Sequence, residues 1–339
     1  MKIIAWFALL MLAAAPAAHA GPPQFPPPGP KQKVIFAMPT VPPLATHSHV
    51  LLAREFGFLD KFNIELEQLD FEGGTRALTA AVAGKADVGT FDCLQAFGNG
   101  VPLTAFWGPT PKLAVVLVAR DSIKSIKDLK GKKVGLASAP GGFLDRMNNA
   151  VFTAAGIKPD EVTIVQTTTA GRVAAMISGQ TDTAVFHYEQ VSKLLREHKG
   201  FHALYDLYEA LPNYQYHVYC GRKEWVAKNR ETVINLTAAT ILAMRHAYAN
   251  KPETVKALMK VTHQAELDSS YAYDKLTRGC VWGRNLGFDM ARLNWTIEHD
   301  YKAGDMKRLY NAEEVVDMGI ANEALKRAGG PIDLPKGCL

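Results

Sequence analysis

The chain has 339 residues, with 38 Lys+Arg against 33 Asp+Glu for a formal charge of +5, and it is 48% hydrophobic and 9% aromatic. That is enough apolar material for two cores, and the balance excludes a disordered chain, a collagen-like repeat, a coiled coil and a disulfide-held miniprotein. The pI near 8.9 does not point to nucleic acid, because the cations are scattered and the densest run, Lys127, Lys130, Lys132 and Lys133, surrounds Gly131 and reads as a solvated turn.

Residues 1–20 combine one early cation, Lys2, an apolar stretch from Ile3 to Ala15 and a small-x-small ending at Ala18-His19-Ala20. This is the pattern of a secretory signal peptide cleaved after Ala20, with an apolar part too short to span a bilayer comfortably. No Cys follows the cut to carry a lipid anchor, so the expected destination is the periplasm. Residues 21–32 are dominated by Pro and are expected to form an extended, polyproline-type linker outside the fold.

From Lys33 a repeating order begins. Lys33–Met38 reads as a strand, Pro39–Pro43 as a loop, and a helix starts near Thr46 or Ser48 and ends at Gly57. Ile64–Phe71 is a second strand, Gly73-Gly74-Thr75 opens a helix with Leu78, Ala81 and Val82 on one face, Gly84 closes it, and Val88–Phe91 is a third strand. The order returns about 95 residues later: strand Lys133–Ser138, loop Ala139–Phe143, helix Asp145–Ala155, strand Val162–Gln166, helix Gly171–Ile177, Gly179, and strand Thr183–Phe186. Leu78 then matches Val173, Ala81 matches Met176, Val82 matches Ile177, Gly84 matches Gly179 and Asp87 matches Asp182. Two βαβαβ units imply an α/β protein of two parallel-sheet lobes.

Two further apolar strands, Leu113–Arg120 and His217–Gly221, are expected as hinges. The segments Lys223–Ala249, Pro252–Thr262, Ser269–Gly283, Asp289–Ala303 and Ala312–Ala328 all show helical periodicity. The expected division is lobe I at 33–118, lobe II at 119–215, and a mostly helical second part of lobe I at 216–339. Among the four cysteines no spacing suits zinc. Cys280 and Cys338 are expected to pair and clip the tail to a helix, and Cys93 and Cys220 to be buried free thiols.

Ligands bind where parallel strands end and helices begin, so the loops of both lobes should face one cleft. Those loops hold Thr40 and His47, then Gly73, Gly74 and Thr75, then Asp92 in lobe I, and Gly141, Gly142 and Phe143, then Thr168, then His187 in lobe II. Asp92 and His187 end equivalent strands, so an acid is expected to face an imidazole across the gap. The Gly-opened helices offer free N–H groups to an anion or ring oxygen. Trp107, Phe143, Tyr188 and Tyr214 are candidates for flat walls. His47-Ser48-His49 is not expected to hold a metal, since neighbouring His side chains diverge and no third ligand is close in sequence. No nucleophile elbow, phosphate loop or dinucleotide fingerprint occurs, which suits a receptor that acts without catalysis and without a cofactor.

The stretches Val34–Met38, Ala80–Gly89, Asp128–Gly135, Ala155–Val162 and Ser178–Asp182 resemble the SsuA/TauA/NMT1-THI5-like family of ABC-importer solute-binding proteins. The resemblance covers about residues 33–265. It implies the type II periplasmic binding fold, a two-lobed clamp that acts as a monomer, closes on a small-molecule solute and docks on an ABC permease in the inner membrane. Pro140-Gly141-Gly142-Phe143 departs from the Gly-Ser type helix start of sulfonate and nitrate binders, and Asp92 adds a negative charge. Both departures favour a small organic solute with a flat ring. The rivals are an oxyanion binder, and an enzyme like the thiamine-pyrimidine synthases, which belong to the same family and consume a His.

Overall fold

A computed structural model describes residues 21–339, so the expected signal peptide at 1–20 lies outside the described residues. The first half-lobe runs β1 Gln32–Met38, α1 His49–Glu55, α2 Phe58–Lys61, β2 Ile64–Asp70, α3 Gly74–Val82, β3 Val88–Thr90, α4 Cys93–Gly98 and β4 Leu103–Thr110. The second lobe follows as β5 Val115–Arg120, β6 Lys133–Leu136, α5 Phe143–Ala155, β7 Thr163–Gln166, α6 Arg172–Ser178, β8 Thr183–His187, α7 Tyr188–Glu197, β9 Phe201–Asp206 and α8 Leu207–Ala210. The chain then returns through β10 His217–Arg222 to the helices α9 Lys223–Lys228, α10 Arg230–Ala249, α11 Lys251–Thr262, α12 Glu266–Arg278, α13 Met290–Lys302 and α14 Met318–Arg327.

These strands make two five-stranded sheets of one plan, β2-β1-β3-β10-β4 and β7-β6-β8-β5-β9. In each, three parallel strands of the repeat are followed by an antiparallel strand that has just crossed from the other sheet. The strands expected as hinges are therefore sheet members. Leu113–Arg120 and His217–Gly221 are apolar because each lies in its sheet between two neighbours and needs burial on both faces. The crossings themselves fall just before them, at residues 111–114 and 211–216.

The repeated Gly-x-x-Asp frame has a physical cause. Gly84 and Gly179 end their helices at φ +76 and +80, the left-handed conformation that Gly adopts without strain. Three residues on, each Asp ties the third strand to the first. Asp87 accepts the Ile35 N–H at 2.9 Å and donates its own N–H to the Ile35 carbonyl at 2.8 Å; Asp182 does the same with Lys133 at 2.9 and 2.8 Å. The expected helix faces are corrected at one position in each copy. Ala81 and Met176 are fully buried, whereas Val82 and Ile177 are 50% and 41% exposed, and α3 packs through Ala77, Ala80 and Ala81 instead.

Other expectations are corrected by long-range contacts. Residues 21–31 form no linker detached from the fold: the Gly21 and Gln24 N–H groups bond the Gly329 and Arg327 carbonyls, and Phe25 packs edge-on against Phe62 at 5.2 Å. The strands β4 and β9 were not expected and complete the two sheets. Lys223–Ala249 breaks at Asn229 into α9 and α10, and of Ala312–Ala328 only Met318–Arg327 is α-helical. The α10 stretch from Val233 to Met244 carries no charge and is buried throughout, as a helix apolar all round must be. Its Thr237 and Thr240 hydroxyls donate to carbonyls four residues back. Cys280, just past α12, is disulfide-bonded to Cys338 with Cα atoms 5.2 Å apart, and Cys93 and Cys220 are buried free thiols. Among the described residues no helix is long and apolar enough to cross a membrane.

Candidate functional site

A cavity lies between the two sheets, walled by residues from both lobes and from the second crossing. Of the residues proposed from sequence, Thr40, His47, Gly73, Gly74, Asp92, Phe143 and His187 line it. The others stand elsewhere. Trp107 is fully buried on β4, the edge strand beside β10, and donates Nε1–H to the Asn285 carbonyl at 2.9 Å. Tyr188 is buried on α7 outside the lining. Thr168 turns its hydroxyl back to accept the Gly171 N–H at 3.0 Å, and its neighbour Thr169 lines the cavity. Gly141 and Gly142 open α5 behind the wall; the Gly141 N–H bonds Asp145 and its carbonyl accepts from Arg146. Thr75 lies under Asp92, with Oγ1 3.5 Å from Oδ2, at the outer limit of a hydrogen bond. Tyr214 donates its hydroxyl to Asp300 at 2.9 Å.

Asp92 and His187 do not face each other with free groups. Asp92 meets Arg146 of α5 across the cleft, Nη2 to Oδ1 at 2.8 Å, with the Arg side chain only 4% exposed. Burial opposes the Arg146 charge, but the Asp92 and Asp300 carboxylates outweigh it and hold its pKa well above the ordinary value. His187 Nε2 is 2.9 Å from the Tyr216 hydroxyl. Arg146, Arg172, Tyr216 and His217 are among the lining residues that sequence reading missed. The run Tyr214-Gln215-Tyr216-His217 was legible as an aromatic segment before β10; nothing marked the two arginines, which lie on ordinary amphipathic helices.

One wall is a cluster of rings. His47 and His217 bring their Nε2 atoms to 3.2 Å, the His47 and His187 rings stand edge-on at 5.2 Å, and Phe143 lies over Tyr216 at 4.4 Å. Burial, with the nearby Arg172 charge, lowers the His47 pKa to about 3, and burial pushes His187 and His217 well below the ordinary value. All three are neutral at pH 7, so each offers one donor and one acceptor. Their buried Nδ1 atoms have no protein partner. Among the described residues no group of three or more His, Cys, Asp or Glu is arranged to hold a metal ion.

The lobes touch across the cleft at several points besides Asp92–Arg146. Glu72 accepts from the Thr169 N–H and hydroxyl at 3.0 and 2.9 Å, and Glu189 accepts from the Ala45 N–H at 2.7 Å. At the rim Asp268 of α12 accepts from Ser192 and Arg196 of α7 at 2.7 and 2.8 Å.

Two sheets of this strand order facing one cleft define the type II periplasmic binding fold. The same fold is found in the periplasmic aliphatic sulphonate-binding protein SsuA of Escherichia coli (TM-score 0.65, 17% identity, 86% of this chain and 99% of that one). It recurs in the periplasmic nitrate-binding protein NrtA of Synechocystis (0.69, 14%, 87% and 89%) and in the desulfurization enzyme DSZB (0.60, 14%, 88% and 99%). Residues 45–255 match the family model described as NMT1/THI5 like. The chain belongs to the NMT1/THI5-like family. It is 25% identical over 199 residues to a Haemophilus influenzae protein provisionally assigned to thiamine biosynthesis, which it spans over 62% of that protein's length. It is 26% identical over 221 residues to a Brucella abortus protein provisionally described as a binding protein, spanned over 66%.

Proposed function

We propose that this chain is the solute-binding receptor of an ABC importer: exported to the periplasm, it closes as a monomer on a small organic solute with a flat ring and delivers it to an inner-membrane permease. The observation that carries this reading is the composition of the cleft. Neutral imidazoles, a tyrosine and a phenylalanine form a flat wall, while Thr40 and Thr169 add hydroxyls from opposite lobes. Such a site orients a ring by stacking and a few hydrogen bonds. The moving bodies are the two sheets with their helices, divided at the crossings 111–114 and 211–216 rather than at the expected 118/119 and 215/216, because the whole of β5 belongs to the second sheet; they close as a clamp about those crossings. Thr40, His47, Asp92, Phe143 and His187 are the groups that touch the solute, and no cofactor takes part.

The enzyme reading has support from the desulfurization enzyme of the same fold and the thiamine-related relative. Against it, the hydrogen bonds of His47 and His187 go to His217 and Tyr216 and not to the Cys93 thiol, a nucleophile type on the cavity wall that would need a base in hydrogen-bond reach. The test is a thermal-shift screen of residues 21–339 against aromatic acids, pyrimidines, sulfonates, nitrate and divalent metals. A saturable rise with a ring compound is expected, because a ligand that binds only the native state must stabilise it. His187→Ala should then weaken binding about tenfold or more with the fold intact. A response to a divalent metal alone would overturn the reading.

A further inference from the structure

The start of α3 and the Arg146 guanidinium together form a site suited to an anion, and a carboxylate of the protein already fills it. Gly73, at φ +93, and Gly74 lead the chain into the nine-residue α3, whose first-turn N–H groups carry the positive end of the helix dipole. Asp92 lies against that turn: a Cβ built on Gly74 would stand 3.2 Å from its Oδ2. Its other oxygen takes the Arg146 bond at 2.8 Å. Arg146 lines the cavity, is 6% exposed, and keeps a buried Nε with no hydrogen-bond partner.

The charge census around the cavity points the same way. Its two cations are Arg146 and Arg172. Arg146 has Asp92 and Asp300 in range, and Arg172 has Glu72 and Glu189. Arg172 also spends both terminal nitrogens within its own lobe, on the Val185 carbonyl and on Gln190. No guanidinium is left to neutralise a second anion beside Asp92, and like charges held that close in a partly dry site repel strongly.

We infer that Asp92 is the specificity-determining residue of the cleft: its carboxylate takes the place an anionic solute would occupy, so the protein selects an uncharged organic solute and rejects carboxylates, sulfonates and nitrate. The inference rests on the receptor reading of the same cleft and deepens it. Removal of the Asp92 charge unmasks the helix start and Arg146 as an anion site.

The test is calorimetric titration of residues 21–339 with acetate, methanesulfonate and nitrate. Wild type should show no saturable binding up to about 10 mM. Asp92→Asn should bind at least one of these anions tenfold or more tightly than wild type, and Asp92→Asn/Arg146→Met should lose that gain. Asp92→Ser, which keeps an acceptor for Arg146, replaces the first variant if Asp92→Asn does not fold. Saturable anion binding by wild type would overturn the inference whatever the variants do, and so would a folded Asp92 variant with no gain. Either result leaves the receptor reading standing, since that is decided by whether wild type responds to any organic solute.

Discussion

At the scale of single residues, the consequence of the ring cluster is a stability that falls in acid. His47 and His49 have folded-state pKa values lowered by burial from 6.5 to about 3, and those of His187 and His217 are lowered well below 6.5. The unfolded chain therefore binds more protons than the folded one below 6.5. Stability is complete above that value and is lost as pH falls towards the folded-state values. By about pH 5.5 each such His costs on the order of 1 kcal/mol, and the four together several kcal/mol. Urea unfolding at pH 7.5 and 5.5 measures this, and a His47→Gln/His217→Gln variant should show a smaller loss. Equal stability at the two pH values would show that these rings are protonated in the folded state. Arg146 makes a second prediction at this scale. Arg146→Met leaves the Asp92 and Asp300 carboxylates without their cation, at a cost of about 3 kcal/mol in urea unfolding. Adding Asp92→Asn should recover part of that cost.

At the scale of elements, the repeat can be tested through the bonds that cause it. Asp182→Ala removes the acceptor of the Lys133 N–H and should cost about 1–2 kcal/mol. Asp87→Ala should cost about the same at Ile35, which denaturant midpoints of the two variants would check. A larger cost is expected at Gly287, where φ is +64 and a Cβ would stand 1.7 Å from the Gly108 carbonyl oxygen. Backbone cannot move aside as a side chain can, so Gly287→Ala should destabilise the protein by more than about 3 kcal/mol or prevent folding. The elements legible in advance were those with clear periodicity, the helices mostly with a Gly stop as well: β1 to β3, β5 to β8, β10, α1, α3, α5, α6 and α11 to α13. β4 and β9 were missed because their partners, β10 and β5, lie far off in sequence, and a strand whose partner reaches the sheet by a crossing from the other lobe shows no local hairpin or βαβ signal. Val82 and Ile177 misled for a related reason. Both sit where a helical face suggests burial, and only the packing of the helix on its sheet shows them exposed.

At the scale of the whole molecule, the contacts that hold the lobes together should set the balance between closed and open forms. Glu72→Ala removes both bonds to Thr169. It should raise the radius of gyration measured by X-ray scattering and weaken solute binding about tenfold, with secondary structure unchanged. The Cys280–Cys338 bond spans 58 residues, so in the chain-entropy account Cys280→Ser/Cys338→Ser should lose about 4 kcal/mol in urea unfolding.

The sequence by itself determined the two-lobed α/β plan, the Gly-x-x-Asp frame and the loops from which the site is built. Each is encoded locally, in hydrophobic period, in glycines at left-handed turns, or in a pair of residues at helix and strand ends. Tertiary structure alone decided which loop residues enter the cleft, that residues 21–31 pack on the fold, that Asp92 is met by Arg146, and that His217 and Tyr216 join His47 and His187 in one neutral wall. Those partners lie 54, 170 and 29 residues apart. Their meeting depends on how the two sheets face each other, a property of the closed pair of lobes that no local pattern in the chain records.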